Sequence, residues 1–262
     1  MIFLKDKVNK LAQKTIHLEP TFDCDKFSKI GGPPDVPAEF EWPVWNEKSL
    51  SFLMQLKFSE INSENALPHI PASGLMYVFY DQEQSTWGHE PADKGSWKNL
   101  FFQETDKLKT RRYPKDIKVR HKVCNLVSKI IKTIPDIGDE RIEALKLSDK
   151  QDSWYYDYQQ SVYNEQPFHQ IGGYPYALQG ADMYLDCEIV SKGFCEDTAE
   201  YAKERYKIIE ENKSDWILLL QIDSDENYDM MWGDSGMLYF WIKKQDLEAK
   251  NFENVWMILQ CY

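Results

Sequence analysis

The sequence predicts an α+β fold, mainly β, in which internally duplicated antiparallel sheet halves carry a few peripheral helices. The first observation behind this is an echo. KIGGPP at Lys29 to Pro34 returns as QIGGYP at Gln170 to Pro175, the apolar run through Gln55 and Leu56 returns as LLLQID at Leu218 to Asp223, and SGLMYVFY from Ser73 returns as SGMLYFWI from Ser235. Three matched blocks in one order, at offsets of 141, 166 and 162 residues, predict a tandem duplication with loops inserted unevenly. The second is that these apolar runs have strand length and are bounded by Gly, Pro, Asn and Asp. The third is the content of nine Trp and fifteen Tyr, which suits a packed, strand-rich fold rather than a disordered chain.

The elements follow in order. Ile2, Phe3, Leu4, Val8 and Leu11 space an amphipathic helix, and Thr15 to Leu18 reads as a short extended piece stopped by Pro20. Pro33, Pro34, Pro37 and Pro43 make the stretch after Gly31 an irregular loop. Leu50 to Phe58, Leu75 to Tyr80 and Leu100 to Gln103 read as the strands of a first half; Trp216 to Ile222, Met237 to Ile242 and Val255 to Gln260 are their counterparts. Between them, Asp139 to Leu147 reads as a short helix, and Ser148 with Gln151 forms a Ser-x-x-Gln capping box that starts a helix running toward Tyr163. Asp197 to Glu211 carries helix-spaced apolar residues among charges without a breaker. The predicted organisation is a single domain, 1–262, built from two repeats (about 29–104 and 169–262) with an inserted segment, 105–168.

The 262 residues suffice for a substantial core, and the formal charge of −12 excludes a general nucleic-acid binder, which needs a basic face for phosphate. Charge is segregated: Asp106 to Lys132 holds ten Lys and Arg against Asp106 and Asp116, leaving +8 there and −20 elsewhere. Such a segment pairs with the acidic remainder of its own chain or with an acidic partner. Five Cys without Cys-x-x-Cys spacing, no apolar leader and no window long enough to span a bilayer predict a cytoplasmic protein that does not enter the membrane.

Lys-Ile-Gly-Gly-x-Pro, Phe-Leu-x-Gln-Leu, His-Gln-Ile-Gly-Gly-Tyr-Pro, Leu-Leu-Gln-Ile-Asp and Trp-Gly-Asp-Ser-Gly-x-Leu-Tyr-Phe-Trp-Ile together resemble the bacterial YwqG-like family, a domain of unknown function, from about Lys29 to Tyr262. The resemblance implies a duplicated, mainly β fold with no established activity. Members look like stand-alone cytoplasmic proteins, some in gene neighbourhoods suggestive of toxin and immunity systems.

Candidate site residues come from the repeated blocks and the loop after the second. Gly172 and Gly173, like Gly31 and Gly32, allow positive φ and close approach, as structural turns or as an anion nest, although neither pair sits in a phosphate-binding motif. Gln55 and Gln221 lie inside apolar strands, where an amide must either clamp loop backbone or line a polar pocket. His169, Trp232 and Asp234 flank Gly-containing turns and offer imidazole, indole and carboxylate to one mouth; an His–Asp pair can exchange protons near neutral pH. Asp223, Asp225, Asn227 and Asp234 match positions one, three, five and twelve of a calcium loop, but Tyr228 replaces the turn glycine and strands flank the loop. A solvated hairpin loop competes with a divalent-cation site, and no cofactor is otherwise expected. Trp87 and Trp232 are the surface aromatic candidates, with Trp241 and Trp256 assigned to the core.

No Gly-x-Ser-x-Gly, catalytic Cys setting or His-x-x-x-His is present. The sequence therefore reads first as a non-enzymatic binding or interaction module, of regulatory or immunity type, presenting a surface between the repeats to a protein partner or small ligand. The alternative is a hydrolase-like enzyme with an acidic or cation-assisted cleft.

Overall fold

A computed structural model describes residues 2–23, 26–163, 167–195, 198–211 and 215–262. The chain opens with α1 (Ile2–Leu11) and β1 (Gln13–Thr21), then β2 (Lys29–Ile30), β3 (Asp35–Val36), β4 (Val44–Trp45), β5 (Lys48–Ser49), β6 (Ser51–Lys57), α2 (Phe58–Ile61), β7 (Leu75–Tyr80) and β8 (Trp97–Phe102). A middle stretch gives β9 (Lys109–Thr110), β10 (Cys124–Thr133), α3 (Glu140–Glu143) and α4 (Asp149–Val162). The last part gives β11 (His169–Ile171), α5 (Met183–Val190), α6 (Ala199–Glu211), β12 (Trp216–Asp223), β13 (Met237–Lys243), α7 (Lys244–Glu248) and β14 (Trp256–Gln260).

Ten strands form one sheet in the order β14-β13-β12-β11-β1-β10-β2-β6-β7-β8, with every pairing antiparallel. The fold is thus mainly β with peripheral helices. Each flank is a meander, as short local connections favour, and the pairings of one flank recur in the other. Lys29 faces Gln55 and Gln55 faces Tyr77; Gln170 faces Gln221 and Gln221 faces Tyr239. Both long strands break register at matching points, between Phe52 and Met54 and between Leu218 and Leu220.

Segment 105–168, expected as an insertion, supplies β10 at the centre of the sheet, paired with all of β1 from Gln13 to Thr21. Its run CNLVSKIIKT mixes lysines with aliphatics and is half exposed, so no clean alternation marks it as a strand. Pro20, expected to end the preceding strand, lies inside β1 opposite Leu126. The Leu126 N–H donates away from β1 to Ser28 O at 2.8 Å, so in this pair the amide positions point apart. The Pro20 nitrogen therefore faces the side where β11 pairing has already ended at Leu18, and no ladder bond is lost.

One continuous core joins the flanks. Met54 and Val78 from one meander and Leu220, Phe240 and Met257 from the other are buried in a single cluster, so the sheet curls until it is nearly closed. Burying each such side chain contributes about 1.5–3 kcal/mol. Aromatic donors draw the outer edges together: Trp97 Nε1 donates to Val255 O at 2.9 Å, Trp256 Nε1 to Gly88 O at 2.8 Å, and the two indoles meet edge to face at 5.1 Å. The loop before β8 then covers the free edge of β14, with Leu259 N–H donating to Trp87 O at 3.0 Å. An exposed sheet edge is a template for aggregation, and this contact blocks it.

Helices cover the remaining apolar surface. The predicted capping box forms, the Ser148 N–H donating to Gln151 Oε1 at 2.9 Å, and α4 buries Tyr155 against Leu4 and Val8 of α1. Helix α5, absent from the sequence reading because its apolar run lacks a clear period, packs with α6 against the second meander. Part of the basic middle stretch pairs with the chain itself: Lys122 meets Asp229 at 3.1 Å and Lys129 meets Glu19 at 3.3 Å.

Candidate functional site

The second Gly-Gly turn opens a cavity of about 490 Å³. Gly172 and Gly173 hold φ of 66° and 70°, and a Cβ on Gly173 would lie 1.8 Å from Thr15 Oγ1, so only glycine fits there. From this turn the wall continues along Trp216, Ile217 and Leu218 of β12 to Trp241 of β13, with Tyr174, Tyr184 and Ile209 completing an aromatic and aliphatic lining. The first half of β12 is available because β11 is short and pairs with it only at Gln221 and Leu220. Trp241 is 5 % exposed, and its buried Nε1 has no hydrogen-bond partner. Indole Nε1–H can only donate, so the fold leaves one buried donor unpaired here, closed to solvent.

Charge rings this lining. Arg141 donates to Asp139 Oδ1 at 2.6 Å and to the Tyr174 hydroxyl at 2.9 Å, with its guanidinium 4.7 Å from the Tyr174 ring centre. Asp139 holds that guanidinium firmly charged. Partial burial and the Lys244 ammonium push His69 below the ordinary imidazole value, so at neutral pH it is uncharged. Asp136, Asp139, Glu140 and Glu248 then face Arg141 and Lys244, leaving the rim acidic. A cavity of this size with apolar walls and a few polar groups suits a small ligand or a segment of chain.

Of the residues the sequence nominated, Gly172 and Gly173 line this cavity and the others lie elsewhere. Gln55 and Gln221 clamp backbone in matching ways. Gln55 Oε1 accepts from Asp35 N–H and its Nε2 donates to Phe27 O, both at 2.9 Å; Gln221 Oε1 accepts from Tyr176 N–H and its Nε2 donates to Phe168 O, again at 2.9 Å. Tyr77 and Tyr239 extend the match, donating to Asp35 O at 2.7 Å and Tyr176 O at 2.6 Å.

His169, Asp223 and Trp232 do converge, but inside the protein. His169 Nδ1 accepts from Asp223 N–H at 3.0 Å, Asp223 Oδ2 accepts from Phe168 N–H at 2.7 Å, and Trp232 Nε1 donates to Asp223 O at 3.1 Å. Trp232, expected at the surface, is 1 % exposed because its ring fills the space beside Tyr80 and His121. Asp234 stands exposed at the turn, where its carbonyl accepts from Tyr262 N–H at 3.0 Å. The loop carboxylates are spent separately: Asp223 as above, and Asp225 on Asn227 N–H and Nδ2 at 3.0 Å. Among the described residues no group of three or more His, Cys, Asp or Glu gathers to hold a metal ion.

Burial pushes the Asp223 carboxyl up to about 6 and the His169 imidazole down to about 3. The signs oppose. Asp223 binds its proton more tightly folded than unfolded, so its burial costs nothing below about pH 4 and the full penalty, about 3 kcal/mol, above pH 6. Neutral His169 stabilises fully above pH 6.5, and that contribution is lost as pH falls toward 3. The wild type should therefore show a nearly flat stability between pH 4 and 6. Asp223→Asn removes one slope, so urea midpoints should rise at pH 7.5 and fall steadily from pH 6.5 to 4. Parallel profiles for variant and wild type would contradict the assignment.

The residues that shape the cavity were missed because they come from separate elements: Arg141 from α3, Ile209 from α6, Trp241 from β13 and Lys244 from α7. A linear hint was Ile209, an apolar residue of α6 that stays exposed beside the buried Tyr201 and Ile208. A second cavity, of about 580 Å³, lies by Asp182, Asp186, Tyr201 and Arg205, but these groups already bond one another. No helix among the described residues is long and apolar enough to cross a membrane. No curated protein matches the chain. A family model described as a domain of unknown function, DUF1963, matches residues 28–261, and the chain belongs to that family.

Proposed function

We propose that this protein is a binding module that takes its ligand in the cavity beside Gly172 and Gly173. The observation that carries the reading is the cavity itself, about 490 Å³ walled by Trp216, Ile217, Tyr184 and Trp241, beside the stretch of β12 that β11 leaves unpaired. Apolar and aromatic walls with a few charged groups at the rim are the pattern of a ligand site. Binding is favoured over hydrolysis because His169, the best acid–base candidate, is enclosed, and its Nδ1 is occupied by Asp223 N–H.

The matched clamps around Gln55 and Gln221 support a tandem duplication, with repeats of about 29–104 and 169–262 in one domain. The motif likeness supports placing the chain in a YwqG-like branch of its family. Cys124, Cys187, Cys195 and Cys261 are free thiols, which supports a reducing cytoplasmic setting.

The test uses N-acetyl-leucine amide, which joins carbonyl acceptors to an apolar body, and follows tryptophan fluorescence of the full chain. Saturable binding is expected, weakened about tenfold in Trp241→Leu, which removes an aromatic wall, and in Ile209→Trp, which fills the cavity mouth. Binding that neither substitution alters would place the ligand elsewhere.

A further inference from the structure

We propose that the open edge of β12, beside the second Gly-Gly turn, docks an extended, basic segment of a partner protein; this rests on the cavity being a ligand site. The molecule holds its own template for such a complex. Beyond the end of β2, the start of β6 is covered by residues 117–122, held through side chains: the Ser51 hydroxyl donates to Val119 O at 2.9 Å, and at the head of the strip the Asp116 carboxylate accepts from Ser49 N–H of β5 at 2.7 Å. Gly32 N–H then donates to His121 O at 3.0 Å, while a Cβ on Gly31 would lie 2.4 Å from Lys122 O. Opposite, Lys122 N–H donates to Tyr228 O at 3.1 Å in the β12–β13 loop. An extended strip is therefore gripped between a Gly-Gly turn, a strand edge and the hairpin loop of the other flank.

The second flank has the same grip, with none of the described residues laid in it as a strip. Ile217 and Leu218 occupy the positions of Ser51 and Phe52 relative to the matching glutamines and register breaks. Neither pairs with β11, and both line the cavity. His69 of the β6–β7 loop forms the facing wall, as Tyr228 does for the first flank. Among the described residues, Gly173 has no counterpart of the Gly32 bond. The reason is topological. Register places Gln13 where the first flank has His121, since Ile16 faces Ile171 as Cys124 faces Ile30, but Gln13 is drawn into the β1–β10 ladder opposite Thr133.

The chemistry of the missing strip follows from the walls. Its backbone groups pair with the strand edge that β11 leaves open, in the manner of β-strand addition. Its apolar side chains meet Ile209 and Tyr184, and its cationic ones meet Glu140 and Glu248, which have no ion pair among the described residues. The resident strip, DIKVRHK, alternates apolar and basic residues in the same way. A net charge of −12 steers such a partner toward this protein.

The probe is a fluorescein-labelled peptide of residues 115–123, KDIKVRHKV, titrated against the full chain at low salt by anisotropy. Saturable binding is expected, about tenfold weaker for the Glu140→Lys/Glu248→Lys variant and at least tenfold weaker for a peptide N-methylated at alternate amides. Equal affinity for the N-methylated peptide would overturn strand docking. If the peptide fails to bind while N-acetyl-leucine amide still binds in a Trp241-dependent way, the cavity is a ligand site and the partner inference is wrong. If neither binds, both readings fall. Concentration-dependent dimers that the double variant abolishes would assign the edge to a second copy of this chain and also overturn the proposal.

Discussion

Gln221→Leu lowers the stability of the fold by about 1–3 kcal/mol, the cost of leaving the buried Phe168 carbonyl without a partner. The substitution keeps the side-chain bulk and removes the acceptor for Tyr176 N–H and the donor to Phe168 O. Phe168 is 1 % exposed, so water cannot replace the lost bond. Gln55→Leu removes the same pair of bonds at the other flank, but there Phe27 is only partly buried and water can reach the freed groups. Gln55→Leu should therefore cost clearly less. Urea denaturation of both variants at pH 7.5 checks the ranking. A Gln221→Leu loss under about 0.5 kcal/mol, within the range of an ordinary surface change, would mean that the clamp is not what fixes the second Gly-Gly loop.

Gly88→Ala opens the closure of the sheet, with an expected loss of about 3 kcal/mol or more. Two costs add. Gly88 holds φ of 86°, where a Cβ is strained, and that Cβ would lie 1.8 Å from the Met257 carbonyl oxygen, a backbone atom of an inner pair that cannot step aside. Relief requires the loop to move, which breaks the bonds from Trp256 Nε1 to Gly88 O and from Leu259 N–H to Trp87 O. Gly193→Ala is the matched control. Its φ of 97° imposes the strain alone, since nothing lies within 4 Å of the added carbon, and about 1–2 kcal/mol is expected. Equal losses for the two variants would show that the loop yields freely. A larger loss at Gly88, with faster proteolysis near Trp87, is the expected result.

The strands read from apolar runs were recovered closely: Leu75–Tyr80 is unchanged and the others shift by a few residues at their ends. Apart from the edge strand β8, these segments are buried on both faces, so their composition alone sets them apart from what surrounds them. The Ser148 capping box was equally legible because its bonds join residues three apart. By contrast, β10 was missed although it is central to the sheet. Its two faces meet different surroundings, and its lysines reach solvent at the strand's outer end. Of the nominated site residues, the glutamines were chosen for a sound reason, the cost of a buried amide, and the structure answers that cost with backbone. Trp232 was misplaced because a glycine-rich loop suggested exposure, whereas the loop folds back over its own indole.

Residue types and short spacings settled the mainly β class, the strand positions, the helix start at Ser148 and the two Gly-Gly turns, because each depends on local φ preferences or on burial of a contiguous run. The order of strands, the near closure of the sheet and the cavity needed the folded chain. They arise where residues far apart in the chain meet: Trp97 with Val255, Gly32 with His121 at one turn, and at the other Thr15 beside Gly173, with no strip among the described residues laid along the edge. A linear pattern carries the same glycines at both turns. Only the competition of β1 for β10 leaves one turn filled and the other open.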